Sequence, residues 1–128
     1  MNNIETLATT VVDAAFKVHS KLGPGLLESA YEACLAHELG KRGHQVARQV
    51  PQPVHYEGLD IEVGYRLDLL VDQTLIVELK AVERVLPIHS AQLMTYLKLS
   101  RKTLGLLINF NVPLIKDGIK RVVMNHPN

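Results

Sequence analysis

The chain has 128 residues, a length that fits one domain with its own core, and we expect residues 1–128 to form such a unit. Hydrophobic residues make up 47% and the formal net charge is +1, which is typical of a globular protein and gives no basic excess for gripping a long duplex alone. A single cysteine excludes an intrachain disulfide, and the lack of any apolar run near the roughly 20 residues of a membrane span favours a cytoplasmic protein.

Two helices are predicted at the start of the chain. Apolar residues recur at helical spacing over residues 3–22, and Asn2 with Glu5 resembles a capping box. Gly23-Pro24-Gly25 then interrupts the pattern, and a second helix is predicted over about 26–41.

Period-two alternation then replaces helical spacing and predicts strands. The first covers 46–56, and its two prolines at positions of equal parity place it at a sheet edge or force a bulge. In the next run, 59–71, odd positions are apolar and even positions are mostly polar, which predicts one core face and one polar face. Gly64 leaves open whether this run is one strand or two.

The second half of the chain predicts a parallel crossover. A strand over 75–80 is followed by a helix from about 88 to 100 and by an apolar strand over 104–110. A short strand over 119–124 ends the pattern. The sequence therefore predicts an α/β fold, in which a mixed β-sheet is flanked by helices.

The hairpin between the strands 59–71 and 75–80 has a register that the apolar pattern fixes. A loop of residues 72–74 keeps the two apolar faces together, whereas a two-residue loop would turn Asp68 into the core. This register gives the following opposed pairs: Val71 with Leu75, Leu69 with Val77, Asp68 with Glu78, Leu67 with Leu79, and Arg66 with Lys80.

Two carboxylates, those of Asp68 and Glu78, are thus expected side by side on one face. Directly opposed like charges destabilise a sheet, and a divalent cation that binds both carboxylates removes the conflict. Mg²⁺ prefers oxygen ligands and is typically held by one or two carboxylates with substrate phosphate. Lys80, two positions along the same strand face, is placed to contact a phosphate oxygen or to position a water molecule.

The same residues resemble a known family. Asp68 followed by Glu78-Leu79-Lys80 matches the D…ExK motif of the PD-(D/E)XK nuclease superfamily, and residues 25–31 match the motif that names its GxxExxY family. Residues 92–98, which read Q-x-x-x-Y-L-K, resemble that family too. The resemblance covers nearly the whole chain.

This resemblance implies a restriction-endonuclease-like core with a magnesium-dependent phosphodiesterase site on the sheet. Asp68 and Glu78 would then be metal ligands, and Lys80 would contact water or phosphate. Glu28 would be an additional acidic ligand on the early helix, and Gln92 the polar residue that completes the site.

Each of these residues also has a purely structural interpretation. Asp68, Glu78 and Lys80 also fit an exposed polar strand face, and Glu28 also fits an acid that complements a helix dipole. The remaining candidates for substrate contact are two aromatic residues that also suit core packing and one lysine that also suits a solvated surface: Tyr31, Tyr96 and Lys98.

Two functions follow from these alternatives. The first is a Mg²⁺- or Mn²⁺-dependent nuclease acting on DNA or RNA, in which a homodimer would supply a second active site and a larger basic surface. The second is a non-catalytic module that uses the same fold to bind nucleic acid or a protein partner.

Overall fold

The computed structural model describes residues 3–126, which contain three α-helices and seven β-strands. The helices are α1 (Asn3–Leu22), α2 (Glu28–Lys41) and α3 (Pro87–Ser100). The strands are β1 (Val46–Pro51), β2 (Val54–Tyr56), β3 (Leu59–Ile61), β4 (Arg66–Val71), β5 (Leu75–Lys80), β6 (Leu104–Asn109) and β7 (Ile119–Val123). A 3-10 turn, Ile115–Gly118, precedes β7.

The predicted helices are confirmed with one changed boundary. The second helix begins at Glu28 and not at residue 26, because Leu27 has extended backbone angles and serves as the N-cap residue. Asn2, which completes the predicted capping box, lies outside the described residues.

Both long strand predictions are divided in two by the structure. The predicted strand 46–56 becomes β1 and β2, and the run 59–71 becomes β3 and β4, which is the second of the alternatives that Gly64 left open. Gly64 has φ of +86°, a left-handed conformation that breaks the extended chain and that glycine adopts without strain.

Five strands form a mixed sheet in the order β1-β4-β5-β6-β7. β5 and β6 are parallel and are connected through α3, which confirms the predicted crossover, and the other neighbours are antiparallel. β1 lies at an edge, as its prolines predict. β2 and β3 form a separate two-stranded sheet, and at the base of this hairpin the Gln52 N–H donates to the Tyr65 carbonyl at 2.8 Å.

The sheet is buried on both faces, so the expectation of one polar face is wrong for its centre. Odd residues of β4 and β5, such as Leu69 and Val77, pack in a core with α1 and α2. Even residues, such as Leu70 and Ile76, pack in a second core with α3. Helices thus cover both faces, and in β4 and β5 the polar residues Arg66, Asp68, Glu78 and Lys80 lie towards one end of the strands.

None of the helices within residues 3–126 combines the length and the hydropathy of a membrane span.

Candidate active site

β4 and β5 stop pairing at the position where the sequence places two carboxylates. The ladder has the predicted register at Val71↔Leu75 and Leu69↔Val77, and no ladder pair is formed between Asp68 and Glu78. Beyond this point each strand supplies a carboxylate to the other strand's backbone. Asp68 Oδ2 accepts the N–H of Leu79 at 2.8 Å, and Glu78 Oε1 accepts the N–H of Asp68 at 3.4 Å.

The ladder therefore lacks three of the predicted pairs: Asp68 with Glu78, Leu67 with Leu79, and Arg66 with Lys80. Leu67 and Leu79 do not share an apolar face, because Leu67 packs in the core formed with α3 and Leu79 packs in the core formed with α1 and α2. The alternation of β4 therefore does not continue from Leu69 to Leu67. As a result, Asp68 lies between the strands and can reach groups on the α2 side of the sheet.

Burial and the neighbouring carboxylate determine the charge state of Glu78. Only 7% of this residue is exposed. Burial first, and then the charge of Asp68, raise the pKa of the Glu78 carboxyl from 4.5 to about 9, while Lys80 acts in the opposite direction. Two ionised carboxylates therefore do not coexist here at neutral pH unless a further positive charge is added.

Lys80 and Glu28 lie at the edge of this pair. Lys80 is half-buried at the end of β5, and Glu28 is the first residue of α2. Burial and the charge of Asp68 raise the pKa of Glu28, whereas Lys80 and a hydrogen bond from the Ala81 N–H lower it. Glu28 is thus within electrostatic range of Asp68 and Lys80.

The predicted ligand set of Asp68, Glu78 and Glu28 is not assembled. Within residues 3–126, no three His, Cys, Asp or Glu side chains are placed so that they can hold a metal ion together. Of these three residues, only Asp68 and Glu78 are joined by a hydrogen bond in the described part of the chain.

Gln49, which the sequence did not single out, contacts Asp68 and joins it to Glu32 of α2. Gln49 Nε2 donates to Asp68 Oδ1 at 3.3 Å and to Glu32 Oε1 at 2.6 Å. Glu32 is buried and also accepts Arg48 Nε at 3.1 Å. Gln49 therefore connects Asp68 to an ion pair between α2 and β1, which fixes the orientation of the carboxylate.

The backbone of Gln49 has a left-handed conformation, with φ of +52°. It lies opposite Asp68, between the pairs Arg48↔Leu69 and Val50↔Leu67, at a position where the β1–β4 ladder is interrupted. A non-glycine residue adopts this conformation at a cost of about 1–3 kcal/mol, and such residues cluster at functional sites. The spacing of Glu32 four residues after Glu28 was the only signal in the sequence for this group.

Tyr31 is completely buried, in agreement with the core-packing alternative for this residue. Its hydroxyl donates to the Gly23 carbonyl at 2.6 Å and accepts the Leu26 N–H at 3.1 Å. Its ring stacks on Phe110 with 4.5 Å between the ring centroids. Tyr31 therefore anchors the loop that leads into α2 and, through that loop, the position of Glu28.

The three predicted residues of α3 have different surroundings. Tyr96 is largely buried and lies next to the carboxylate pair, since the charges of Glu78 and Asp68, after burial, raise the pKa of its hydroxyl. Gln92 is exposed one turn away, and among the described residues no hydrogen bond joins it to the carboxylates. Lys98 is exposed and points to another side of the helix, away from the groove that Gln92 and Tyr96 line.

A family model of the PD-(D/E)XK nuclease superfamily matches residues 5–122. The chain belongs to this superfamily. No match was found among curated proteins or among solved structures. The α/β architecture, with its mixed sheet between helices, is the restriction-endonuclease-like fold of PD-(D/E)XK proteins.

PD-(D/E)XK nucleases generally use divalent metal ions and act on nucleic acid, and the donor set of this chain fits such an ion. Asp68 and Glu78 provide only oxygen ligands, which hard cations prefer. The raised pKa of Glu78 is a direct sign that the pair lacks positive charge. A divalent ion supplies that charge and favours the ionised form of both carboxylates.

Proposed function

We propose that this protein is a nuclease that hydrolyses phosphodiester bonds in DNA or RNA. It depends on Mg²⁺, which Mn²⁺ can replace. The observation that carries the proposal is the carboxylate pair of Asp68 and Glu78, held between two separated strands with Lys80 on the same strand as Glu78. Such a pair is poorly suited to a purely structural role, because burial and repulsion raise the pKa of Glu78 to about 9.

In this proposal the two carboxylates hold the metal ion. Asp68 is kept in place by the Leu79 N–H and by Gln49, so that its orientation does not depend on the ion. A bound divalent ion stabilises charge on the scissile phosphate and lowers the pKa of the attacking water.

The other residues act on substrate and water. Lys80 contacts a phosphate oxygen or holds the water, and its half-buried ammonium group strengthens that contact. Glu28 supports the site from α2, and Gln92 supports it from α3 as the polar group nearest the substrate. Lys98 contributes at most to the general attraction of a phosphate backbone.

The active unit in this proposal is the chain of residues 1–128. The homodimer and the cytoplasmic location, which were expected from the size and the composition, stay predictions.

Metal-titrated digestion of circular DNA, linear DNA and RNA tests the proposal. We expect cleavage that needs Mg²⁺ or Mn²⁺, stops with EDTA, and falls about a hundredfold or more in Asp68→Asn and in Lys80→Ala. The matched control is Lys41→Ala, since Lys41 ends α2 about 20 Å along the helix from Glu28. Cleavage that persists in EDTA, or in both site variants, contradicts the proposal.

The alternative, a non-catalytic binding module, is favoured by one observation: the described residues contain no group of three side chains that could hold a metal ion. Metal or nucleic-acid binding without any turnover in the same digestion supports this module and excludes the nuclease.

A further inference from the structure

A groove of about 400 Å³ lies between α3 and the side of the molecule that carries the β2–β3 hairpin. One wall is formed by α3, through Ile88, Gln92 and Tyr96, and the other wall by Val54 and Tyr65 from the hairpin side. Tyr65 lies in the segment that joins β3 to β4, two residues before Leu67. The groove therefore connects the β2–β3 hairpin with the helix that covers the carboxylates.

Tyr96 belongs both to this groove and to the core that contains Leu67, the residue that precedes Asp68 in β4. The ring of Tyr65 is 6.4 Å from that of Tyr96, centroid to centroid, at an interplanar angle of 55°. A ligand in the groove is thus adjacent to the site where a scissile phosphate would lie.

The lining of the groove suits a flat, uncharged group. No residue that lines it is charged at neutral pH, so it offers no partner for a phosphate. Two of its apolar side chains are well exposed, Tyr65 at 46% and Ile88 at 64%. Gln92 adds an amide that can both donate to and accept from the edge of a base.

Nucleic acid presents flat, uncharged surfaces only where its bases are unpaired. In a continuous duplex each base is stacked between neighbours, and its phosphates face the protein first. In a single strand the bases are free to stack on aromatic side chains, which is worth about 1–3 kcal/mol per base.

We propose that this groove binds a base of an unpaired strand next to the scissile phosphate, with Tyr65 as the stacking surface, so that the protein acts on single-stranded nucleic acid. The inference rests on the proposed nuclease function. It also accounts for the low net charge of the chain, because an unpaired strand is held by stacking as well as by phosphate contacts.

The test compares one labelled oligonucleotide sequence in three forms: single-stranded DNA, single-stranded RNA and duplex DNA. Binding is measured by fluorescence anisotropy with Ca²⁺ in place of Mg²⁺, and cleavage is measured with Mg²⁺. We expect the wild-type protein to bind and cut single strands in preference to duplex. The comparison of single-stranded DNA with single-stranded RNA shows whether the 2′-hydroxyl affects binding or cleavage.

Tyr65→Ala is the decisive variant, because its half-exposed ring makes no large contribution to either core. We expect it to weaken single-strand binding about tenfold and to leave the weaker duplex binding unchanged. Tyr65→Phe and Tyr65→Trp should keep the affinity, and Ile88→Ala should reproduce part of the loss. The matched control is Tyr56→Ala, which removes a 63% exposed ring outside the groove and should change nothing.

Three results overturn the inference. The first is a protein that binds duplex as tightly as single strands, and the second is a Tyr65→Ala variant that loses affinity for both equally. The third is a dimer that Tyr65→Ala dissociates, which would assign the groove to a second copy of the chain.

The cleavage measurements separate this inference from the nuclease proposal. Tyr65-dependent binding without cleavage in any metal refutes the nuclease alone. Metal-dependent cleavage that Tyr65→Ala leaves unchanged on every substrate refutes the groove alone.

Discussion

Asp68 accepts the backbone N–H of Leu79 at 2.8 Å, so a catalytic candidate is also a structural link between β4 and β5. We expect Asp68→Ala to destabilise the protein by about 1–3 kcal/mol, because a buried strand loses a hydrogen-bond partner. Asp68→Asn keeps an oxygen acceptor and should cost less, although both variants should lose stabilisation by Mg²⁺. Urea denaturation with and without Mg²⁺ measures both effects. Equal destabilisation by the two substitutions would show that the hydrogen bond contributes nothing.

Glu78 should make the stability of the metal-free protein fall as pH rises. Its carboxyl has a pKa of about 9 in the folded protein against 4.5 as the ordinary value, so the folded state binds more protons between these limits. Stability should therefore decrease from about pH 4.5 to about pH 9, with a slope of at most about 1.4 kcal/mol per pH unit. Urea denaturation in EDTA at several pH values gives this slope.

Glu78→Gln is the matched control for this pH dependence. The amide has the same size and no charge, so the variant should have a flatter slope and be more stable than wild type at pH 8 in EDTA. Mg²⁺ should raise the melting temperature of the wild type and leave that of Glu78→Gln unchanged. If the stability of the variant depends on pH as steeply as that of the wild type, a group other than Glu78 binds the proton.

Tyr31→Phe should show that this residue positions the loop before α2. The substitution keeps the stacked ring and removes the hydroxyl that joins Gly23 and Leu26, and it should cost about 1–2 kcal/mol. Limited proteolysis should show faster cleavage at residues 23–27 in the variant. A variant as stable and as resistant as the wild type would leave the hydroxyl without a role.

Gly118→Ala should be strongly destabilising because of what lies next to the glycine. A Cβ atom at this position would overlap the backbone carbonyl oxygen of Asn109. Asn109 is buried, and its amide bonds both backbone groups of Val82, in the segment that follows Lys80. We expect a loss of about 3 kcal/mol in urea denaturation. Gly40→Ala is the control, since nothing lies within 4 Å and α2 should gain up to about 1 kcal/mol.

The hairpin between β4 and β5 was predictable because its information is local. Apolar residues at alternate positions and a three-residue loop leave only one register, and the ladder has this register from Leu69↔Val77 to Val71↔Leu75. The crossover through α3 was equally predictable, since two apolar strands flank one helix.

Other features of the site depend on contacts between distant segments. Gln49 reaches Asp68 only because β1 pairs with β4, and nothing within residues 46–56 indicates that partner. Leu67 packs on the α3 side of the sheet because β4 and β5 separate after Leu69. The alternation of apolar and polar residues does not show this separation. Tyr31 is a core residue because the Gly-Pro-Gly loop folds back over its hydroxyl. Its position three residues after Glu28 in the sequence does not indicate that it is buried.

The β2–β3 hairpin pairs with no other strand among residues 3–126, although it contributes one wall of the groove. Gln52 and Tyr65 close the hairpin at its base. Residues within it can therefore be substituted without disturbing a ladder of the main sheet. In the proposed nuclease, substitutions in this hairpin should therefore change the wall of the groove and leave Asp68, Glu78 and Lys80 in place.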